Sequence, residues 1–121
     1  MFREILHELI RGTKGAIGAI FLDWEGETVE LVSERPLDAD DHDLKVIGAY
    51  QGIFLTRLRD LCTNIGVGAP HRFKVEFAHT RTLSCDLKDG YYLVLIMDAD
   101  ASEGLAWHRL SDCREKLLRE M

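Results

Sequence analysis

Any chemistry in this chain must come from its cysteines, histidines, carboxylates or glycine loops. Cys62, Cys85 and Cys113 are odd in number, widely spaced and each set on an apolar face, which reads as small buried hydrophobes in a reducing compartment. His7, His71, His79 and His108 fall in separate elements, and none stands at a spacing that specifies a nucleophile and its base. Asp98, Asp100 and Ser102 imitate the first, third and fifth positions of a calcium loop. Glu103 and Arg109 then stand where the turn glycine and the bidentate glutamate belong, so a helix start capped by Ser102 is the plainer reading. Asp38, Asp40, Asp41 and Asp43 surround His42 and could hold a metal or a partner. Carboxylates at a helix start also accept its orphan N–H groups and complement its dipole, which explains them without a ligand. No G-x-x-x-x-G-K-[ST] segment is present, and Gly12, Gly15 and Gly18 fit a helix end and a closely packed strand. These residues predict no catalytic site, no cofactor and no metal.

Composition narrows the partners. The chain has 121 residues, of which 46% are hydrophobic and 30% charged, enough for one domain over 1–121 with a core of its own. A formal charge of −6 with no basic run opposes nucleic acid and anionic membrane as partners. The longest apolar runs fall well short of a membrane span, and no signal peptide precedes the first helical pattern, so a cytoplasmic protein is expected.

The elements that must position any functional residue follow from periodicity. Phe2, Ile5, Leu6, Leu9 and Ile10 predict an amphipathic helix with Gly12 as its C-cap. Ala16 to Leu22 is apolar throughout, a strand covered on both faces, and Asp23-Trp24-Glu25-Gly26 turns it into a more exposed strand over Thr28 to Ser33. The longest helical pattern runs from Asp43 to Gly66. Its main stripe, Leu44, Ile47, Phe54, Leu55, Leu58, Leu61, Cys62 and Ile65, is expected to lie on a sheet. Val46, Tyr50 and Ile53 point roughly the opposite way, with Ala49, Arg57 and Asp60 beside them. Gly48 and Gly52 fit close approach of this helix to the sheet, with close approach of a partner helix as the alternative. Beyond Gly66-Val67-Gly68-Ala69-Pro70, Phe73, Val75 and Phe77 alternate with Arg72, Lys74 and Glu76. Leu83, Cys85 and Leu87 alternate in a second strand, Asp89-Gly90 closes a hairpin, and Tyr91 to Met97 is again apolar throughout. Ala106, Leu110, Cys113, Leu117 and Met121 stripe the last helix.

These elements predict an α/β (α+β) sandwich. The two strands apolar on both faces belong in the middle of a five-stranded antiparallel sheet, order 2-1-5-4-3, with the long helix on one face and the first and last helices on the other. The third strand is then an open edge with no proline beyond Pro70 to protect it. A second apolar side on the long helix and an open edge both point to a second copy across a two-fold axis. The expected dimer or partner interface comprises Val46, Ala49, Tyr50, Ile53, Arg57, Asp60, Phe73, Val75 and Phe77.

The glycine-led strand from Gly15-Ala16 through Asp23 and Gly26 resembles the roadblock (dynein light chain) family. So do the acidic loop before the long helix, the Asp89-Gly90 hairpin and the closing helix. The resemblance spans essentially the whole chain and is closest in style to bacterial gliding-motility regulators. It implies a homodimer with a continuous sheet joined through the third strand and long helices packed side by side. It further implies a regulator or scaffold of a small Ras-like GTPase that performs no catalysis itself. A small-ligand sensory or general protein-interaction module of the same fold is the alternative, with a pocket between sheet and helix.

Overall fold

A computed structural model describes residues 1–34 and 41–121. Its elements are α1 (Phe2–Gly12), β1 (Ala16–Leu22), β2 (Thr28–Ser33), α2 (Asp41–Ile65), β3 (Arg72–Glu76), β4 (Thr80–Asp86), β5 (Tyr92–Asp98) and α3 (Glu103–Glu120). The five strands form one antiparallel sheet in the expected order, β2-β1-β5-β4-β3. The acidic segment read as a cap for the long helix, Asp38 to Asp43, falls largely outside the described residues.

The sheet divides the core in two, by residue parity in β4 and β5 and in β1 beyond its irregularity between Ala16 and Gly18. On one face Ala19 and Phe21 of β1, Leu83 and Cys85 of β4, and Leu93, Leu95 and Met97 of β5 meet Leu6, Leu9 and Ile10 of α1 and Ala106, Leu110, Cys113 and Leu117 of α3. On the other, Ile17, Ile20, Leu22, Leu31, Val94 and Ile96 meet Leu44 and Leu55 of α2. Every residue of β1 is buried, and only Asp98 at its end leaves β5 short of that. Strands covered on both faces have no polar side to expose, which is why their sequences show no alternation.

Turn chemistry follows the sequence closely. Gly26 takes the left-handed conformation (φ 83°) that ends the β1–β2 turn, and Asp23 Oδ1 accepts the N–H groups of Glu25 and Glu27. Asp89 and Gly90 (φ 57° and 82°) form the β4–β5 turn. Phe21 pairs with Glu30 and Leu22 with Thr28, which makes Val29 the extra residue of a bulge and leaves it exposed. One capping expectation is corrected and the other is met in position only. Gly12 is the last residue of α1, and extended Thr13 caps it by donating its N–H to the Ile10 carbonyl. Ser102 sits at the N-cap of α3 without a side-chain capping hydrogen bond.

Candidate partner-binding surface

The expected sheet-facing stripe of α2 is only partly correct. Leu44 and Leu55 are buried and Ile47 half-buried, but Phe54 (51% exposed), Leu58, Leu61 and Ile65 (62% exposed) reach solvent, and Cys62 is half-buried. The sheet instead takes Leu44, Gly48, Gln51, Gly52 and Leu55. A Cβ on Gly48 would stand 3.1 Å from both Ile20 Cδ1 and Leu22 Cδ2, and one on Gly52 would collide with the Tyr92 ring. Of the two glycine readings, close approach to the sheet is therefore correct. The helix lies low because its smallest residues face inward, and burial must then leave larger apolar side chains outside.

Tyr92, Gln51 and Ser84 are paired across this contact, whereas the buried Thr82 hydroxyl on the same sheet face has no hydrogen-bond partner among the described residues. Tyr92 donates its hydroxyl to the Gly48 carbonyl at 3.1 Å, and Ser84 Oγ donates to Gln51 Oε1 at 3.3 Å beneath the helix. Burial pushes the Tyr92 phenol up to about 12.

Gln51 marks which flank of α2 turns toward β4. Ile47, Gln51, Phe54, Leu58, Leu61 and Ile65 follow one another at alternating steps of four and three along that flank. A stripe of period 3.5 is the pattern by which one helix packs along another. Val46, Tyr50 (59% exposed) and Ile53 extend the uncovered surface around the helix, with Arg57 and Asp60 also exposed. Ala49 is half-buried, its Cβ 3.8 Å from where a Cβ on Gly26 would lie. After Leu55 no residue of α2 is buried.

β3 completes the surface. Phe73 pairs with Ser84 and Val75 with Thr82, so both half-buried side chains stand on the α2 side of the sheet, and exposed Phe77 follows the strand. On the opposite face Arg72 lies 4.5 Å over the Trp107 ring and Lys74 bridges Glu103 at 3.0 Å and Glu76 at 3.3 Å. Glu103 first and Glu76 second hold the Lys74 ammonium above its ordinary range. The backbone at both ends of β3 is tied to β4: Asp86 donates its N–H to the His71 carbonyl at 2.9 Å, and Phe77 donates to the Thr80 carbonyl at 2.8 Å. Residues of odd number in β3 thus aim their backbone at β4. Arg72, Lys74 and Glu76 aim theirs outward, where no strand lies among the described residues.

Of the residues weighed first for chemistry, His71 and Cys85 line one cavity with Asp86, Trp107 and Arg114, where His71 Nδ1 stands 3.7 Å from Asp86 Oδ2. Cys85 and Cys113 are buried free thiols, and burial pushes each up to about 12, far from thiolate reactivity. Among the described residues no group of histidine, cysteine and carboxylate could hold a metal, and no helix is long and apolar enough to cross a membrane.

No protein-family model matches the sequence, and no curated protein matches it. Solved structures do. Myxococcus xanthus MglB superposes with a TM-score of 0.85 at 16% identity, over 98% of this chain and 85% of that one. The chain has the roadblock fold. Its likeness extends to the gliding protein MglB of Thermus thermophilus (TM-score 0.83, 19% identity, 96% of this chain and 84% of that one). A roadblock/LC7 domain from Streptomyces avermitilis superposes at 0.80 with 16% identity over 94% and 92% of the two chains. Within the roadblock fold, the feature that periodicity alone missed is the outward run from Phe54 to Ile65. The glycines at 48 and 52 were the available signal, because a helix that presents glycine to a sheet must turn its bulk elsewhere.

Proposed function

We propose that this chain is a non-catalytic, cytoplasmic regulator or scaffold of a small Ras-like GTPase, acting as a homodimer whose paired α2 helices form the binding platform. One observation carries the reading: α2 keeps Phe54, Leu58, Leu61 and Ile65, apolar residues at steps of four and three, uncovered on the flank nearest the open β3 edge. Exposed apolar surface of this extent on one helix is what a partner buries. A two-fold axis beside β3 would join the edges and bring the two α2 flanks together. Val46, Tyr50, Ile53 and Arg57 would then line the outer side of the helix pair, where aromatic and arginine side chains suit a protein partner. The fold shared with the gliding proteins supports the GTPase assignment. The small-ligand alternative is weakened by the glycine contacts, which leave no ligand-sized space between α2 and the sheet at Gly48 and Gly52.

Two measurements test this. Light scattering at micromolar concentration should return about twice the 13.8 kDa chain mass. Mixing with a Ras-like GTPase should give a co-purifying complex and a changed hydrolysis or exchange rate, and a monomeric protein with no effect on any such GTPase refutes the reading.

A further inference from the structure

The side chains of β3 carry information about how the strand would pair with itself, and this deepens the homodimer reading on which it rests. In a sheet continued across a two-fold axis perpendicular to it, residues opposite one another share a face, so one residue of β3 sits on the axis. The face toward α3 carries Arg72, Lys74 and Glu76, and the face toward α2 carries Phe73, Val75 and Phe77.

Charge decides among the registers. An axis through Phe73 sets Arg72 opposite the second copy's Lys74. Axes through Arg72, Lys74 or Glu76 set each against itself. Like charges directly opposite are destabilising. An axis through Val75 has no such clash: Lys74 meets Glu76 of the second copy in both directions, Phe73 meets Phe77, and Val75 meets Val75. The backbone agrees, because Lys74 and Glu76 are residues whose N–H and C=O point outward from β4, so each Lys74–Glu76 pair would exchange both ladder hydrogen bonds. We infer that β3 pairs with β3 of a second copy in the register centred on Val75. The strand is self-complementary in that register alone, with alternating charge on one face and an unbroken apolar row on the other.

A cysteine scan reads the register directly. Opposed residues that do not share ladder hydrogen bonds lie closest, about 4.5 Å between Cα atoms, within disulfide reach. In a Cys62→Ser background, where Cys85 and Cys113 stay buried, Phe73→Cys, Lys74→Cys, Val75→Cys and Glu76→Cys are each oxidised mildly and run on a non-reducing gel. Circular dichroism and light scattering on the reduced proteins confirm fold and mass. Val75→Cys should form covalent dimer roughly tenfold faster than the other three. Faster cross-linking at any other position overturns the register. A dimeric mass with no cross-link at any position shows that the dimer does not use β3, which overturns the inference and leaves the homodimer standing. A monomeric mass overturns both.

Discussion

Tyr92 donates its hydroxyl to the carbonyl of Gly48 at 3.1 Å, tying the middle strand of the sheet to the backbone of the helix that crosses it. The same ring occupies the space a side chain at position 52 would need. A tyrosine this well buried needs a hydrogen-bond partner, and the glycine-lined helix lies close enough to offer its backbone as one.

The two glycines therefore predict different outcomes. Gly52→Ala drives a methyl group into the Tyr92 ring and should cost about 1–3 kcal/mol through overpacking. Gly48→Ala meets only the movable ends of Ile20 and Leu22 at 3.1 Å and regains about 1 kcal/mol of helix propensity, so its loss should be smaller. Urea unfolding of the two variants gives the comparison.

Leu55 and Ile53 separate the two sides of α2. Leu55→Ala removes a buried side chain and should cost about 2–5 kcal/mol. Ile53→Asp places a charge on a side chain that is already 48% exposed in the single chain, so circular dichroism should show an intact fold. Desolvating that charge where a partner packs on the outer side of the helix pair is costly, and the variant should stay dimeric but fail to hold the proposed GTPase. Retained GTPase binding would place that interface off this side of the helix.

Raising salt should leave the proposed homodimer intact. Screening weakens exposed ion pairs such as Lys74 with Glu76, yet hydrophobic contact and strand pairing persist. Sedimentation at low and at molar salt should give the same mass, and dissociation would assign the assembly to its charges.

Alkaline pH should unfold the protein in a defined window. Burial raises Cys85 and Cys113 from 9.0 and Tyr92 from 10.0, each to about 12. The folded state thus holds these protons where the unfolded chain has released them, and stability falls as pH rises. It should be complete below about pH 9 and decline from there toward about pH 12. Cys85→Ala should flatten the decline, as read from unfolding midpoints across that range.

The sheet was legible because its signals are local and redundant. β1 and β5 are apolar without alternation, so they must be central, and Asp23 to Gly26 and Asp89-Gly90 join each to its neighbour; order 2-1-5-4-3 follows. The stripes of α1 and α3 were legible for the same reason, since each buries one side only. The orientation of α2 was not. Periodicity weights large apolar residues, and here Gly48 and Gly52 face the sheet while Phe54, Leu61 and Ile65 face out. A buried Gln51 reads as surface until its partner Ser84 is known, and the pairing spans the chain from helix to strand. Val46, Tyr50 and Ile53 reach the surface as their spacing implies, because no rotation of α2 buries them together with Leu44 and Leu55.

The last turns of α2, from Thr56 to Ile65, run for about 15 Å with no buried residue to hold them. A helical segment so short is marginal in water without tertiary cover, and such segments open locally at little cost. Backbone amides there should exchange with solvent deuterium far sooner than those around Leu44 and Gly48. Whatever covers Phe54, Leu58 and Leu61 would close that difference, so the exchange rate of these turns becomes a clock for occupancy, legible without labelling either partner.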